Sequence, residues 1–186
     1  MKQNLFYTLI LLFFISTNCH SSQKEDIIKN LNKTENMTFN FEQIINEKKE
    51  NGNCVIKYPK LIYCNYEGIK GKKIVSNGNS LVIKITNSNI SYRYPLKSTP
   101  LNYILDKDYI ISQIKKLEPR IIKNKYINFT LLNENQTINI FFNKKDLNLV
   151  GWQTEDIYKN LVITFISKIR INQKIDDKIF RLPEIN

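Results

Sequence analysis

Histidine is almost absent from this chain of 186 residues, since the single one is His20. The rest of the chain therefore has no imidazole for general-base catalysis or for activating a nucleophile. Two internal cysteines without a usable histidine make a zinc site improbable, and the five glycines form no phosphate-binding loop. We expect a protein that is not an enzyme and that has no metal site and no cofactor.

Acidic residues are also scarce, because 17 of them face 28 lysines and arginines, for a net charge of +11. A basic surface is typical of proteins that bind nucleic acid. Here the lysines are scattered along the chain and form no single stripe. We therefore expect no nucleic-acid partner.

Long apolar runs are limited to the N-terminus. Residues 1–19 carry one early charge, Lys2, followed by an apolar stretch from Leu5 to Ile15. This pattern is typical of a secretory signal peptide with cleavage near residues 19–21, and it is short for a membrane span. A retained anchor helix is the alternative. Residues 20–186 then form a single exported domain.

Cys19 raises the possibility of lipid attachment at the new N-terminus. A lipoprotein signal usually has a branched apolar residue three positions before the cysteine and a small residue directly before it. Ser16 and Asn18 stand at those positions, and both fit poorly. We therefore expect a soluble exported protein.

Alternating apolar and polar residues dominate the remaining chain and predict antiparallel strands. Residues 24–32 have helical periodicity, and residues 98–117 begin with helix-start residues before Pro100. Asn77-Gly78 is the strongest hairpin signal. The sequence therefore predicts a mainly β protein with one early helix and one central helical insertion.

Two cysteines flank a tight turn in the segment NCVIKYPKLIYCNY. If residues 58–60 form a three-residue loop, Cys54 pairs with Cys64 on the face that also carries Ile56 and Ile62. A directly opposite pair lies close enough for a disulfide. A two-residue loop would shift the register and forbid it, which leaves two buried thiols as the alternative.

So long an antiparallel sheet must cover its apolar face or curl around something. The two helical segments supply little material to cover it. A strongly curved, incomplete β-barrel with the helices as a lid solves this problem. Its interior is either a filled core or a cavity for an apolar ligand, and the pattern alone leaves both open.

Several short motifs, in order, resemble the LolA family of periplasmic carriers of outer-membrane lipoproteins. They include FNFEQ, VSNGNSLVIKI, YPLKSTPLNYIL and FRLPEIN. Each motif is weak alone, but their order and spacing extend over the whole mature chain. The matching positions are Phe39, Phe41 and Gln43; Pro59; Ser76, Asn77 and Gly78; Thr99, Pro100 and Leu101; Asp156; and Phe180 and Pro183.

The resemblance implies a half-barrel whose apolar cavity holds the acyl chains of a lipoprotein in transit from the inner to the outer membrane. The partners it implies are acylated lipoproteins, an inner-membrane transporter that loads the carrier and an outer-membrane receptor that unloads it. We expect a monomer. The candidate cavity lining is Phe39, Phe41, Ile56, Tyr58, Ile62, Leu81, Ile83 and Ile85. The candidate lid-helix residues are Leu101, Ile104 and Leu105.

Two positions depart from the family pattern. Where the family usually has an arginine that latches the lid, this chain has Tyr58. A phenol can donate one hydrogen bond, whereas the guanidinium of an arginine has five N–H donors. We expect that hydroxyl to bond a lid carbonyl, so that Tyr58→Phe loosens the lid. Lys159 stands where the late turn often has glycine, which we expect to change only the turn type.

Two other functions fit the same fold. One is a LolB-type outer-membrane receptor, which would carry a lipid on Cys19. The other is an envelope module that binds and regulates another protein.

Overall fold

The structure is a computed structural model, and it describes residues 22–68, 71–88, 90–133, 136–156 and 158–183. The predicted signal peptide at residues 1–19, with Cys19, lies outside the described residues. The elements given below all belong to the chain that follows it.

Eleven antiparallel strands form one sheet in the order β6-β5-β4-β3-β2-β1-β11-β10-β9-β8-β7. The two outermost strands do not pair with each other, so the sheet is not closed into a barrel. The strands are β1 (Asn36–Ile45), β2 (Lys48–Lys57), β3 (Leu61–Tyr66), β4 (Lys72–Asn77), β5 (Ser80–Ile85), β6 (Ile90–Pro95), β7 (Arg120–Ile122), β8 (Tyr126–Asn133), β9 (Gln136–Asn143), β10 (Leu149–Glu155) and β11 (Leu161–Ile171). This is the mainly β, open half-barrel that the sequence predicts.

Among the described residues, three α-helices accompany the sheet: α1 (Gln23–Lys33), α2 (Leu101–Ile104) and α3 (Lys107–Lys116). The sequence predicts a single helical segment over residues 98–117, and the structure breaks it in two. Asp106 is the reason, because its extended backbone interrupts the helix while its carboxylate accepts the N–H of Tyr109 at 3.0 Å. An aspartate in this position favours a new helix start over continuation.

One half of the concave face is filled. Helix α1 buries Ile27 and Leu31, which border a space of only about 30 Å³ together with Phe142 and Leu149. Helix α3 adds its buried face to the same hydrophobic cluster. The interior is therefore partly a filled core and partly a cavity, because the helices leave only the other half of the concave face open.

The chain returns across the convex face after β11. A short turn of 3₁₀ helix, Asp177–Phe180, contacts β3 and β4 and buries Phe180. Lys57 anchors the turn through an ion pair with Asp177 at 2.6 Å. The chain after β11 thus leaves the open half of the concave face uncovered.

Candidate functional site

An apolar cavity of about 410 Å³ lies between the concave face of the sheet and the lid helix α2. Its size falls in the range of about 300–1,000 Å³ that is typical of ligand pockets. Leu101 and Ile104 of α2 close one side. The apolar residues of the sheet wall are Phe39, Phe41, Ile45, Ile62, Ile74, Leu81, Ile83, Trp152 and Val162.

The structure brings most of the predicted lining residues together. Five of the eight border the cavity, namely Phe39, Phe41, Ile62, Leu81 and Ile83, and so do two of the three predicted lid-helix residues, Leu101 and Ile104. Four do not. Ile56, Tyr58 and Leu105 are buried in the filled core, and Ile85 lies in a neighbouring, more polar groove.

The sequence prediction missed the wall that β10 and β11 supply. Trp152 packs edge-on against Phe39, with ring centroids 6.2 Å apart, and both rings face the cavity. Thr154, Val162 and Thr164 line the same wall. The alternation in LNLVGWQT predicts which residues share a face, but it does not show that β10 lies beside β11 and β9.

Three polar side chains in the wall, those of Tyr66, Gln43 and Thr164, hydrogen-bond one another. The Tyr66 hydroxyl donates to Gln43 Oε1 at 3.0 Å, and Gln43 Nε2 donates to Thr164 Oγ1 at 3.1 Å. Burial, with a smaller contribution from the Glu50 carboxylate, raises the pKa of Tyr66. The phenol therefore stays protonated at neutral pH and keeps its hydrogen bond, so Tyr66 adds no charge to the wall. Lys72, which also lines the cavity, is paired with Glu50.

Cys54 and Cys64 also border the cavity. They lie directly opposite in the β2–β3 ladder, where Lys57 faces Leu61 across the three-residue loop. Their Cα atoms are 4.1 Å apart and their sulfurs are bonded at 1.95 Å. The disulfide joins the two strands beneath the ligand space.

The lid contact differs from the predicted one. The Tyr58 hydroxyl is buried and has no hydrogen-bond partner among the described residues, so it does not bond a lid carbonyl. Lys60 makes that contact instead. Its N–H donates to the carbonyl of Leu105 at 2.7 Å, and its ammonium lies 3.4 Å from the Asp106 carboxylate.

The late turn forms the opposite side of the cavity mouth, with Asp156 and Tyr158 among its lining. The Asp156 carboxylate accepts the N–H groups of Tyr158 and Asn160, at 2.8 and 2.9 Å. Desolvation alone would raise the pKa of Asp156, but hydrogen bonds from Asn160 and Tyr158 outweigh it and lower that pKa. Lys159 has a φ of 65°, the left-handed region where glycine is favoured.

Two kinds of feature are missing from the described segments. No helix in them is long and apolar enough to cross a membrane. No group of three or more histidine, cysteine, aspartate or glutamate side chains within them is placed to hold a metal ion.

Solved structures share this architecture at low sequence identity. An uncharacterized conserved protein from Thermus thermophilus is 7% identical, with a TM-score of 0.51 over 87% of this chain and 93% of that one. A LolA superfamily protein from Nitrosomonas europaea is 10% identical, with a TM-score of 0.47 over 87% and 99%. A putative outer membrane lipoprotein-sorting protein domain from Vibrio parahaemolyticus is 7% identical, with a TM-score of 0.44 over 83% and 94%.

The amino-acid sequence itself matches a known family. Among curated proteins, none matches the chain. The model of the outer membrane lipoprotein carrier protein family, LolA, matches residues 32–183, which include the whole sheet and all the residues around the cavity. The chain belongs to the LolA family.

Proposed function

We propose that this protein carries lipoproteins between membranes by holding their acyl chains in the cavity under α2. The observation that carries the proposal is the cavity itself, a largely apolar space in whose wall Tyr66, Gln43 and Thr164 hydrogen-bond one another. The family is that of outer membrane lipoprotein carriers, and such proteins bind and release cargo rather than catalyse a reaction.

The energetics explain why a carrier is needed. Each methylene exposed to water costs about 0.8 kcal/mol, so a chain of about fourteen methylenes costs on the order of 11 kcal/mol. A lipoprotein would not leave a membrane at that cost unless another apolar environment received it. A shaped cavity with a movable cover offers that environment without covalent chemistry.

The construction of the lid suits reversible binding. Helix α2 has only four residues, and it is fastened to the β2–β3 turn by one backbone hydrogen bond and one partly exposed ion pair. Contacts of this kind contribute about 1 kcal/mol each. Ile104 of α2 is buried as well, so opening the lid also costs its apolar contacts, which an acyl chain entering the cavity can replace.

We further propose that the protein works in the periplasm. Residues 1–19 serve as its signal peptide, and residues 20–186 as the exported domain. An inner-membrane transporter loads it, and an outer-membrane receptor unloads it. An oxidising compartment also suits the disulfide between Cys54 and Cys64.

Acyl binding tests the proposal directly. Leu101→Gln places an amide in the lid side of the cavity, whereas Leu132→Gln makes the same change at a side chain that is 72% exposed on β8. Losing the burial of one leucine costs about 1.5–3 kcal/mol. We expect Leu101→Gln to weaken binding of a fluorescent fatty acid about tenfold or more and Leu132→Gln to leave it unchanged. Equal affinity in both variants would contradict the cavity as the binding site.

Two measurements separate the carrier from the other functions of this fold. A diacylglyceryl group on Cys19, seen by mass spectrometry of the mature N-terminus, would assign the chain to the receptor class. Tight binding to a membrane-protein domain, without any bound lipoprotein, would assign it to a regulatory module.

A further inference from the structure

Two threonine side chains line the cavity on the wall that β10 and β11 supply. They are Thr154 and Thr164, and they are only 6% and 3% exposed. Thr154 lies opposite Val162 in the ladder between the two strands, and Thr164 lies opposite Trp152. The two threonines are therefore diagonal neighbours on the concave face of the sheet.

The hydroxyl of Thr154 makes no hydrogen bond to any of the described residues, although the side chain is buried. Its oxygen is not fully enclosed by protein atoms, so it faces the open space of the cavity. A hydroxyl can donate one hydrogen bond and accept two. Because a buried polar group without a partner is unfavourable, a ligand that pairs this hydroxyl binds more tightly than one that leaves it unpaired.

Thr164 stands at the end of a series of hydrogen bonds across the wall. The Tyr66 hydroxyl donates to the amide oxygen of Gln43, and the amide nitrogen of Gln43 donates to Thr164 Oγ1. Thr164 is the acceptor in this series, and its own hydroxyl hydrogen has no acceptor in the part of the chain that the structure describes. Successive hydrogen bonds of the same direction polarise one another. Thr164 therefore presents a strengthened donor to the cavity.

The two hydroxyls lie between the aromatic interior of the cavity and its mouth. Trp152, Thr154 and Asp156 follow one another at every second position, and all three line the cavity. Trp152 packs against Phe39 in the interior, whereas Asp156 belongs to the late turn at the mouth. An acylated molecule has the same order of chemistry, since a carbonyl group separates its hydrocarbon chain from its polar head.

We propose that the hydroxyls of Thr154 and Thr164 form a subsite that donates hydrogen bonds to the carbonyl oxygens of the cargo's acyl groups. This inference rests on the proposed function and specifies its ligand as an acyl ester or amide. The hydrocarbon end lies toward Trp152 and the polar end toward Asp156. A carbonyl oxygen has two lone pairs, so it pairs a threonine hydroxyl without bringing a charge into the cavity. An alkyl ether of the same length lacks the carbonyl and leaves the hydroxyls unpaired.

Two uncharged lipids of equal chain length test the preference for a carbonyl. Monopalmitoylglycerol has an ester, whereas hexadecylglycerol has an ether in its place. We expect the wild type to bind the ester about tenfold more tightly than the ether, the effect of one or two hydrogen bonds between neutral groups. Equal affinity for the two lipids overturns the inference and leaves the proposed function standing. Binding of neither lipid contradicts the proposed function, and the inference with it.

Replacing the hydroxyls tests whether these two residues carry the preference. Thr154→Val keeps the branched shape of the side chain and breaks no hydrogen bond, so we expect it to fold as the wild type does. Alone, it should lower the preference for the ester about threefold. The double variant, Thr154→Val with Thr164→Val, should bind both lipids with the affinity of the wild type for the ether. A preference that both variants retain in full overturns the inference.

Thr99→Val is the matched control within the same cavity. Thr99 also lines the cavity, but its hydroxyl already donates to the carbonyl of Leu96 at 2.9 Å. That carbonyl keeps a second donor, the backbone N–H of Thr99, when the hydroxyl is removed. We expect this variant to retain the preference for the ester. If it loses as much preference as the double variant, the assignment to Thr154 and Thr164 is wrong.

The infrared band of the bound ester carbonyl gives a readout that packing alone would not move. Hydrogen bonding lowers the stretching frequency of an ester carbonyl. We expect the band of bound monopalmitoylglycerol to lie at lower frequency in the wild type than in the double variant of Thr154 and Thr164. The same frequency in both proteins overturns the inference.

Discussion

Lys60 contacts the lid segment through two groups, its backbone N–H and its ammonium. The neighbouring Tyr58 supplies no such contact, because its ring is packed in the core and its hydroxyl is unpaired among the described residues. Burial raises the pKa of Tyr58, so the phenol is neutral throughout the physiological range. At this turn, Lys60 holds the lid segment, and the ring of Tyr58 packs in the core.

Tyr58→Phe should leave the lid contact intact. Leaving a buried polar group without a partner costs about 1–3 kcal/mol, so removing the hydroxyl relieves a cost and breaks no hydrogen bond. We expect the free energy of unfolding to stay equal or to rise, and the retention of acyl ligand to stay unchanged. Urea unfolding and fatty-acid binding measure both. A loss of more than about 1 kcal/mol, or faster ligand release, would show that the hydroxyl does act as a latch.

Asp156 gives a prediction for acid conditions. Its folded-state pKa is lowered, so its contribution is present above the ordinary carboxyl range, near about pH 4, and is lost as the pH falls below it. We expect the backbone amides of Tyr158 and Asn160 to exchange faster, relative to intrinsic rates, below about pH 4. Asp156→Ala should remove this dependence. Protection that is unchanged down to about pH 2 in the wild type would contradict the assigned hydrogen bonds.

Asp106 separates the lid helix α2 from α3. Its carboxylate caps α3 and also receives the ammonium of Lys60. The residue thus couples the start of a buried helix to the turn that fastens the lid. Helix α3 buries Ile110, Ile111 and Ile114, whereas the shorter α2 buries Ile104 alone.

Replacing Asp106 by alanine should therefore destabilise the fold. Loss of an N-cap costs about 0.5–2 kcal/mol, and we expect a decrease in that range in the free energy of unfolding. Asp108→Ala is the control, because Asp108 lies in the first turn of the same helix and is not its cap. Its effect should stay within about 0.5 kcal/mol. Equal losses in the two variants would show that charge near the helix start matters and that the cap does not.

The whole molecule is an open sheet that is filled at one end and hollow at the other. Residue alternation predicts the strands, and the three-residue turn predicts the pairing of Cys54 with Cys64, because both depend on neighbours in the chain. Alternation does not predict which part of the concave face the helices cover. Ile56 and Ile62 are paired on the same face, yet only Ile62 reaches the cavity. The contribution of Trp152 likewise depends on a pairing between strands that the local pattern does not specify.

The open half gives the molecule its proposed task, and cargo isolated with the protein tests that task most directly. The full-length chain, with residues 1–19 included, is produced in a Gram-negative bacterium, purified without detergent and analysed by intact mass spectrometry. We predict a complex with one acylated lipoprotein that dissociates when detergent occupies the cavity. Protein that is recovered free of lipoprotein, and that also binds no fatty acid in solution, would contradict the carrier function.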